Sequence, residues 1–276
     1  MPCKKPFALA LLLAGTVACN TNLAIATFAA NTKQFSELLP RVAAVRFNAC
    51  VELAVYDQLQ SDGPTLPKRD VAVLSCREQA QTRDRLIKEF SVLTQYFTAL
   101  GQLANHDHAG AVASAQEAAG TAGSLVGANP AISGLAGALA RAVLNTKTAS
   151  ALREAIESAD PHIQAYSREF QGVIAPVFSA ALKDQERELT ALYSDGVRAT
   201  PANRLLLYRQ FDSDRRTIRE AHQLVESYSA LMAGIAAAHA RLYANRASLG
   251  SKETIAGILH DAAGIGGQIA AIKAAH

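Results

Sequence analysis

The stretch Ile218–Leu242, which reads IREAHQLVESYSALMAGIAAAHARL, decides the fold class of this chain. Mostly apolar side chains recur in it three and four residues apart, and we call this row the seam: Ile218, Ala221, Val225, Tyr228, Met232, Ile235, His239 and Leu242. A mean spacing of about 3.5 residues keeps one face of an α-helix turned toward a partner helix over many turns. We therefore predict a long helix that opens at Thr200-Pro201, where a capping residue precedes proline, and ends near Asn245. Because His239 falls on the seam, we expect it to be a hydrogen-bonded core histidine.

A second row of this kind lies earlier in the chain. It belongs to a helix that Pro67 opens and that breaks at 105–108, and its members are Leu86, Phe90, Leu93, Phe97, Leu100 and Ala104. No window of the sequence shows the sustained alternation of apolar and polar residues that half-buried strands require. The predicted fold class is all-α, an elongated antiparallel helical bundle with coiled-coil-like long helices.

The segments between and before these rows indicate further helices. One runs from about Ala24 or Lys33 to Leu59, and Pro40 starts or kinks it. An Ala/Gly-rich insert at about 109–145 is split by Asn129-Pro130 into two short helices, and a third short helix covers about 149–158.

The last third of the chain contributes two more helices. Asp160-Pro161 has the form of a capped helix start, and Asp195-Gly196 is the predicted end of that helix, with a kink at Pro176. Its predicted buried face consists of Ile163, Tyr166, Phe170, Val173 and Val177. A final helix follows a cap at Ser251 and carries an isoleucine-rich stripe, for which packing on the bundle is expected and contact with a membrane surface is the alternative.

The N-terminus has the layout of an export signal. Lys4 and Lys5 precede a predominantly apolar run that ends in Val17-Ala18-Cys19, and this order of charged, apolar and small residues is typical of a signal peptide. The segment resembles the signal of a bacterial lipoprotein. The resemblance implies that Cys19 is lipidated and becomes the mature N-terminus, and Asn20 after it implies the outer membrane, facing the periplasm.

This interpretation divides the chain into three parts. Residues 1–18 are the predicted signal peptide, 19–32 an N-terminal tether, and 33–276 a helical bundle domain that includes the Ala/Gly-rich insert. The alternative is an ordinary secreted protein that is cut later, for example after Ala30, and carries no lipid.

Two cysteines of the mature chain are placed symmetrically about a turn. Cys50 and Cys76 have a mean position of 63, and Gly63 belongs to the turn sequence between two predicted helices. Facing Cα atoms of adjacent antiparallel helices lie roughly 4 to 5.5 Å apart, which is close to the distance that disulfides span. We predict a Cys50–Cys76 disulfide, which fits an oxidising compartment.

Candidate metal ligands are few. His106 and His108 flank one residue at a predicted helix break, and His222 lies one helical turn before Glu226. Each pair supplies only two of the three or four protein ligands that a zinc site needs. We predict no cofactor.

Charge and motifs limit the function classes. Removal of Lys4 and Lys5 with the signal leaves 25 of the 27 basic residues against 24 acidic ones, so no electrostatic case for nucleic acid exists. The glycines at 120–127 lack the Gly-Lys-Ser/Thr ending of a phosphate loop. We expect a non-enzymatic, lipid-anchored interaction or structural protein of the cell envelope that has a protein partner, and the alternative is a periplasmic bundle that binds a ligand or metal.

Overall fold

The chain is helical wherever the structure shows regular backbone. The computed structural model describes residues 8–61, 67–125, 127, 129–144, 148–199 and 201–275. Its α-helices are α1 (Ala8–Lys33), α2 (Leu39–Ser61), α3 (Arg69–Ser75), α4 (Arg77–Ala104), α5 (His108–Gly123), α6 (Pro130–Leu144), α7 (Thr148–Glu169), α8 (Ala175–Ala199), α9 (Arg204–Ala244) and α10 (Lys252–Ala275). Short 3-10 turns cover Gln34–Glu37 and Pro201–Asn203, and a π-helical turn covers Phe170–Ile174. The all-α prediction is confirmed.

The helices form two compact units. Unit 1 consists of Met1–Glu37, Lys88–Arg168 and Leu231–Ala271, and unit 2 consists of Leu38–Ile87, Glu169–Ala230 and Ile272–His276. Long helices α4 and α9 each contribute residues to both units. The sequence interpretation placed 33–276 in one bundle domain and did not foresee this division.

Aromatic side chains fill the core of unit 1. Phe90 packs against Phe35 and, edge to face, against Tyr166, with ring centroids 5.5 and 5.3 Å apart. Phe97 meets Phe28 in the same edge-to-face manner at 6.0 Å, a geometry that the charge distribution of aromatic rings favours. The predicted row on α4 is therefore a core row.

The seam on α9 is buried as its spacing predicts. Its members from Val225 to Leu242 are at most 3% exposed, and Ile218 is 2% exposed. Only Ala221 is half-buried, because it borders a cleft in unit 2.

Asp160-Pro161 does not begin a helix, contrary to the prediction. Helix α7 runs without a break from Thr148 through Pro161 to Glu169. The Asp160 carboxylate is bonded to His239 and Gln164, so it is not available to cap a helix start. A proline inside a helix removes one backbone hydrogen bond, and burial of Ala159 and Ile163 on either side holds the helix together.

The π-helical turn explains a second wrong prediction. Val173 and Val177 were expected in the core, but they are 56% and 39% exposed, whereas Phe178 is 2% exposed. A π-helical turn contains an additional residue, so the buried face moves on by one position after Phe170. The turn ends just before Pro176, and α8 then continues past the expected stop at Asp195-Gly196 to Ala199.

The segment expected as a tether is packed helix instead. Residues 19–32 lie within α1, and Ile25 and Phe28 are 0% and 1% exposed. Apolar residues three apart share one helix face, which turns this segment into part of the core of unit 1. The helix predicted to run to about Leu59 is thus two helices, α1 and α2, and Pro40 lies in the first turn of α2.

The last helix is apolar on most of its surface. By length and composition α10 is long and apolar enough to cross a membrane, the one such helix among the described residues. Within unit 1 it is held by a two-bond pair between Arg241 and Asp261 and by a bond from the Asn31 amide to the Ala262 carbonyl. Thr254 donates its backbone N–H to Ser251 at 3.1 Å, which confirms the predicted cap.

Candidate ligand-binding cleft

Helices α2, α8 and α9 enclose a cleft of about 860 Å³ in unit 2. Two rows of residues face it at helical spacing. The row on α2 consists of Arg41, Val45, Asn48, Glu52 and Tyr56, and the row on α9 consists of Gln210, Asp214, Thr217, Ala221 and Leu224. In both rows steps of three and four residues place the side chains on one helix face, and each face mixes polar with apolar groups.

Short side chains make room for the cleft. Ala44, Ala49 and Ala221 line it where the seam and the α2 core would otherwise carry larger groups. Leu182 and Leu224, which are 2% and 6% exposed, supply apolar wall. The resulting volume falls within the range of about 300–1,000 Å³ typical of small-molecule sites.

Helix α3 is tied to α2 beside the cleft. The predicted Cys50–Cys76 disulfide is confirmed, with a Cα–Cα distance of 6.0 Å. Gln58 accepts a hydrogen bond from the backbone N–H of Lys68 at 2.8 Å, and the Arg69 guanidinium meets the Glu52 carboxylate at 2.8 Å. These contacts bring the guanidinium of Arg69 to the edge of the cleft. The predicted turn at Gly63 lies outside the described residues.

Acidic groups converge inside the cleft. Asp214 accepts a hydrogen bond from the Gln210 amide at 2.8 Å. Burial raises the pKa of Asp214, the Gln210 bond lowers it in part, and the negative charge of Glu52 raises it further. Burial also raises the pKa of Tyr56, with a smaller opposing effect of the hydrogen bond to Gln185 and further increases from the charges of Glu52 and Asp214. The polar groups of α2 and α9 therefore act on one another across the cleft.

Neither pair of candidate metal ligands lies next to a third ligand among the described residues. His106 has a positive φ of 61° and its Nε2 lies 2.9 Å from the Asn22 amide nitrogen. His108 begins α5, and its Nδ1 is buried without a hydrogen-bond partner. Both belong to unit 1, whereas His222 and Glu226 lie on the unit 2 part of α9. The described residues contain no group of three or more His, Cys, Asp or Glu side chains placed to hold a metal ion, so the metal site stays a prediction.

Glu226 borders a second, smaller cavity. This cavity of about 430 Å³ also lies in unit 2, next to the π-helical turn, and Gln171, Pro176 and Ser229 line it. It is more open and more apolar than the cleft, and none of the other described residues that line it is a carboxylate or a histidine.

His239 is the core histidine that the seam predicted. Its ring is 0% exposed, with Nδ1 2.9 Å from the Asp160 carboxylate and Nε2 2.7 Å from the Tyr96 hydroxyl. Burial lowers the pKa of His239 and outweighs the opposing effect of Asp160, and burial also raises the pKa of Tyr96 well above its usual value. A neutral imidazole then donates from Nδ1 to Asp160 and accepts from the Tyr96 hydroxyl.

The cleft residues were not identified from the sequence. Basic and acidic residues are interleaved at 204–220, a pattern typical of a solvated mixed-charge face, and the exposed pairs Arg216–Asp212 and Arg215–Glu186 fit it. Asp214 differs because it lies four residues before Ile218 and so continues the seam backwards. A carboxylate at a position that the seam spacing assigns to the core was therefore the feature of the sequence that could have indicated the cleft.

Comparison of the chain with protein-family models, curated proteins and solved structures finds no match.

Proposed function

We propose that this chain is a lipid-anchored protein of the bacterial cell envelope that binds a small ligand in the unit 2 cleft and does not react with it. The cleft carries the proposal. Its volume of about 860 Å³ suits a small molecule, and it combines polar groups, which can orient a bound ligand, with an apolar wall.

The packing of α1 supports cleavage before Cys19. Cleavage after Ala30 would remove the buried Ile25 and Phe28 from unit 1, and loss of one such side chain alone costs about 2–5 kcal/mol. Thr21 donates its hydroxyl hydrogen to the Leu249 carbonyl at 3.1 Å, so the packed structure already includes the second residue after the cysteine. Cys19 lies in α1, and its side chain is outside the described part of the structure.

The disulfide supports an exported protein. Disulfides persist in oxidising compartments such as the periplasm and are rare in the cytosol. The Cys50–Cys76 bond therefore agrees with the export signal and with periplasmic exposure of unit 2.

The buried His239 supports a non-catalytic role for the polar network of unit 1. A histidine beside a carboxylate is a common catalytic arrangement, but a general base must reach the proton of a bound substrate. His239 uses both ring nitrogens on Asp160 and Tyr96 in the core. The contacts of His239 with Asp160 and Tyr96 thus hold α4, α7 and α9 together.

Lipid labelling tests the anchor. Cells that express the full chain and grow with labelled palmitate should transfer label to the wild type and to the Cys3→Ala variant, but not to Cys19→Ala. Both cysteines belong to the N-terminal segment, so the comparison separates the modified thiol from a general effect on export. Equal labelling of Cys19→Ala, or an unlabelled wild type, would contradict the proposal.

Blocking the cleft tests ligand binding. Ala221→Trp places an indole in the cleft, whereas Ala237→Trp adds the same group at an exposed position of the same helix. Native mass spectrometry of protein purified from the envelope should show a bound small molecule on the wild type and on Ala237→Trp, and none on Ala221→Trp. The proposal is wrong if the wild type carries no added mass or if Ala221→Trp carries the same mass at equal occupancy.

A protein partner is the second candidate function. The first two turns of α9 expose Leu205, Leu206 and Tyr208, which are 64%, 69% and 53% exposed. Exposed apolar patches often mark protein interaction sites. A partner held there would still bind the Ala221→Trp variant, so the same variant separates the two functions.

A further inference from the structure

The charges that line the cleft do not balance. Three carboxylates, of Glu52, Asp214 and Glu220, face two guanidinium groups, of Arg41 and Arg69, which leaves an excess of one negative charge. Arg69 is already engaged by Glu52 at 2.8 Å. Among the described residues no basic side chain pairs with Asp214 or Glu220, and the Asp214 carboxylate receives only the neutral amide of Gln210.

The surroundings of Asp214 favour a positive charge next to it. Asp214 is half-buried, and the charge of Glu52 acts on it from α2. Electrostatic interactions are stronger in such a partly desolvated site than at the open surface. An anion there would meet net negative charge, and a neutral group would leave the carboxylate without a charge partner.

One wall of the cleft favours an apolar body attached to that charge. Leu182, Ile218 and Leu224 contribute buried apolar wall, and Tyr56 contributes an aromatic ring that is 7% exposed. Aromatic rings attract cations through their electron-rich faces. The cleft thus offers a carboxylate, an aromatic ring and an aliphatic surface in one enclosure.

We propose that the cleft binds an organic cation, an amine joined to an apolar body, with the ammonium group at Asp214 and the apolar body along Leu182, Ile218 and Leu224. The ligand class rests on the proposed function, because it assumes that the cleft is a ligand site. The groups that face the ammonium position are Glu52, Tyr56 and Arg41 of α2, Arg69 of α3, Gln185 of α8, and Gln210 and Glu220 of α9.

The raised pKa of Asp214 adds a pH dependence. The ammonium group requires the ionised carboxylate, so binding weakens as the pH falls through the pKa of Asp214, which burial and Glu52 raise above its ordinary value. The affinity is highest near neutral pH, where both the carboxylate and an alkylammonium group are charged.

Three probes of equal size and different charge test the inference by calorimetry at neutral pH: phenethylamine, 2-phenylethanol and phenylacetate. We expect the amine to bind the mature protein at least about tenfold more tightly than the alcohol, which corresponds to one charge-assisted contact. The Asp214→Asn variant should lose this preference for the amine over the alcohol. The Glu220→Gln variant should lose part of it. Asp212→Asn is the matched control, because Asp212 pairs with Arg216 on the same helix and does not line the cleft.

The outcomes separate the two proposals. If the alcohol binds as tightly as the amine, or if Asp214→Asn keeps the preference, the cation class is wrong while the ligand site stands. If none of the three probes shows saturable binding that Ala221→Trp abolishes, both the cation class and the small-molecule site are wrong.

Discussion

Loss of the Cys50–Cys76 disulfide is expected to lower the free energy of unfolding by about 3.5 kcal/mol, because the bond closes a loop with a sequence separation of 26 residues and so restricts the unfolded chain. Typical domains are stable by only about 5–15 kcal/mol. A large part of the stability of unit 2 is therefore expected to depend on this one bond. Urea unfolding of the mature protein with and without a reducing agent measures the loss.

Two variants separate the chain-entropy effect from packing. The disulfide lies against a small apolar cluster in which Val51, Ala72 and Cys76 are at most 1% exposed. The double variant Cys50→Ala/Cys76→Ala also removes the two sulfur atoms from that cluster, so it should be at least as destabilised as the reduced wild type. A reducing agent should leave the double variant unchanged. Equal stability of oxidised and reduced wild type would show that the bond does not constrain the chain as inferred.

The effect should also reach the cleft. Arg69 begins the short helix α3, which ends at Ser75 beside the disulfide. An isolated helix of this length is unstable in water, so release of Cys76 removes a main constraint on the position of the Arg69 guanidinium. The reduced protein should bind the amine probe with altered affinity even where unit 2 remains folded.

Periodicity explains which parts of the fold could be predicted. Where apolar residues recur three and four positions apart without interruption, as in the seam and the row on α4, the structure shows a buried helix face. The disulfide could be predicted for a different reason, because the symmetry of Cys50 and Cys76 about position 63 requires only an antiparallel pair of helices around a turn.

Local signals failed where tertiary contacts determine the backbone. Asp160 has the sequence form of a cap, but a histidine 79 residues away engages its carboxylate. The π-helical turn at Phe170–Ile174 shifts the buried face by one residue, and no spacing in the sequence announces it. Phe28 was assigned to a tether because it follows a lipidation motif, although its packing against Phe97 places it in the core.

The cleft was missed for a related reason. In the sequence, Asp214 lies among residues that form exposed ion pairs. Its proximity to Glu52 and Tyr56 depends on the packing of α2 beside α9, which the sequence does not reveal. In a sequence, small residues such as Ala44 and Ala221 indicate close helix packing, but in this structure they line the cleft. Whether small side chains close or open a gap depends on the helix geometry around them.

Replacing His239 with alanine is expected to destabilise the protein by about 3–5 kcal/mol. The change leaves a void in the core and removes hydrogen-bond partners from the Tyr96 hydroxyl and the Asp160 carboxylate, and both losses are costly for buried groups. His222→Ala is the matched control on the same helix, since His222 is only half-buried, and it should change the stability by less than about 1 kcal/mol. Equal effects of the two variants would contradict the structural role of His239.

The pH dependence of stability gives an independent test of the same network. The pKa of His239 is lower in the folded protein than in the unfolded chain because burial disfavours the imidazolium. As the pH falls below about 6.5, the unfolded chain binds a proton that folded His239 does not, so the free energy of unfolding decreases, by at most about 1.4 kcal/mol per pH unit. Burial and the charge of Arg141 also lower the pKa of His162, so His162 contributes a loss of stability of the same sign. The pKa of Asp160 is lowered as well, and its contribution to stability is lost only in a more acidic range. His239→Gln should therefore reduce, and not abolish, the loss of stability between pH 6.5 and 5, and an unchanged slope in that window would show that folding does not lower the pKa of His239.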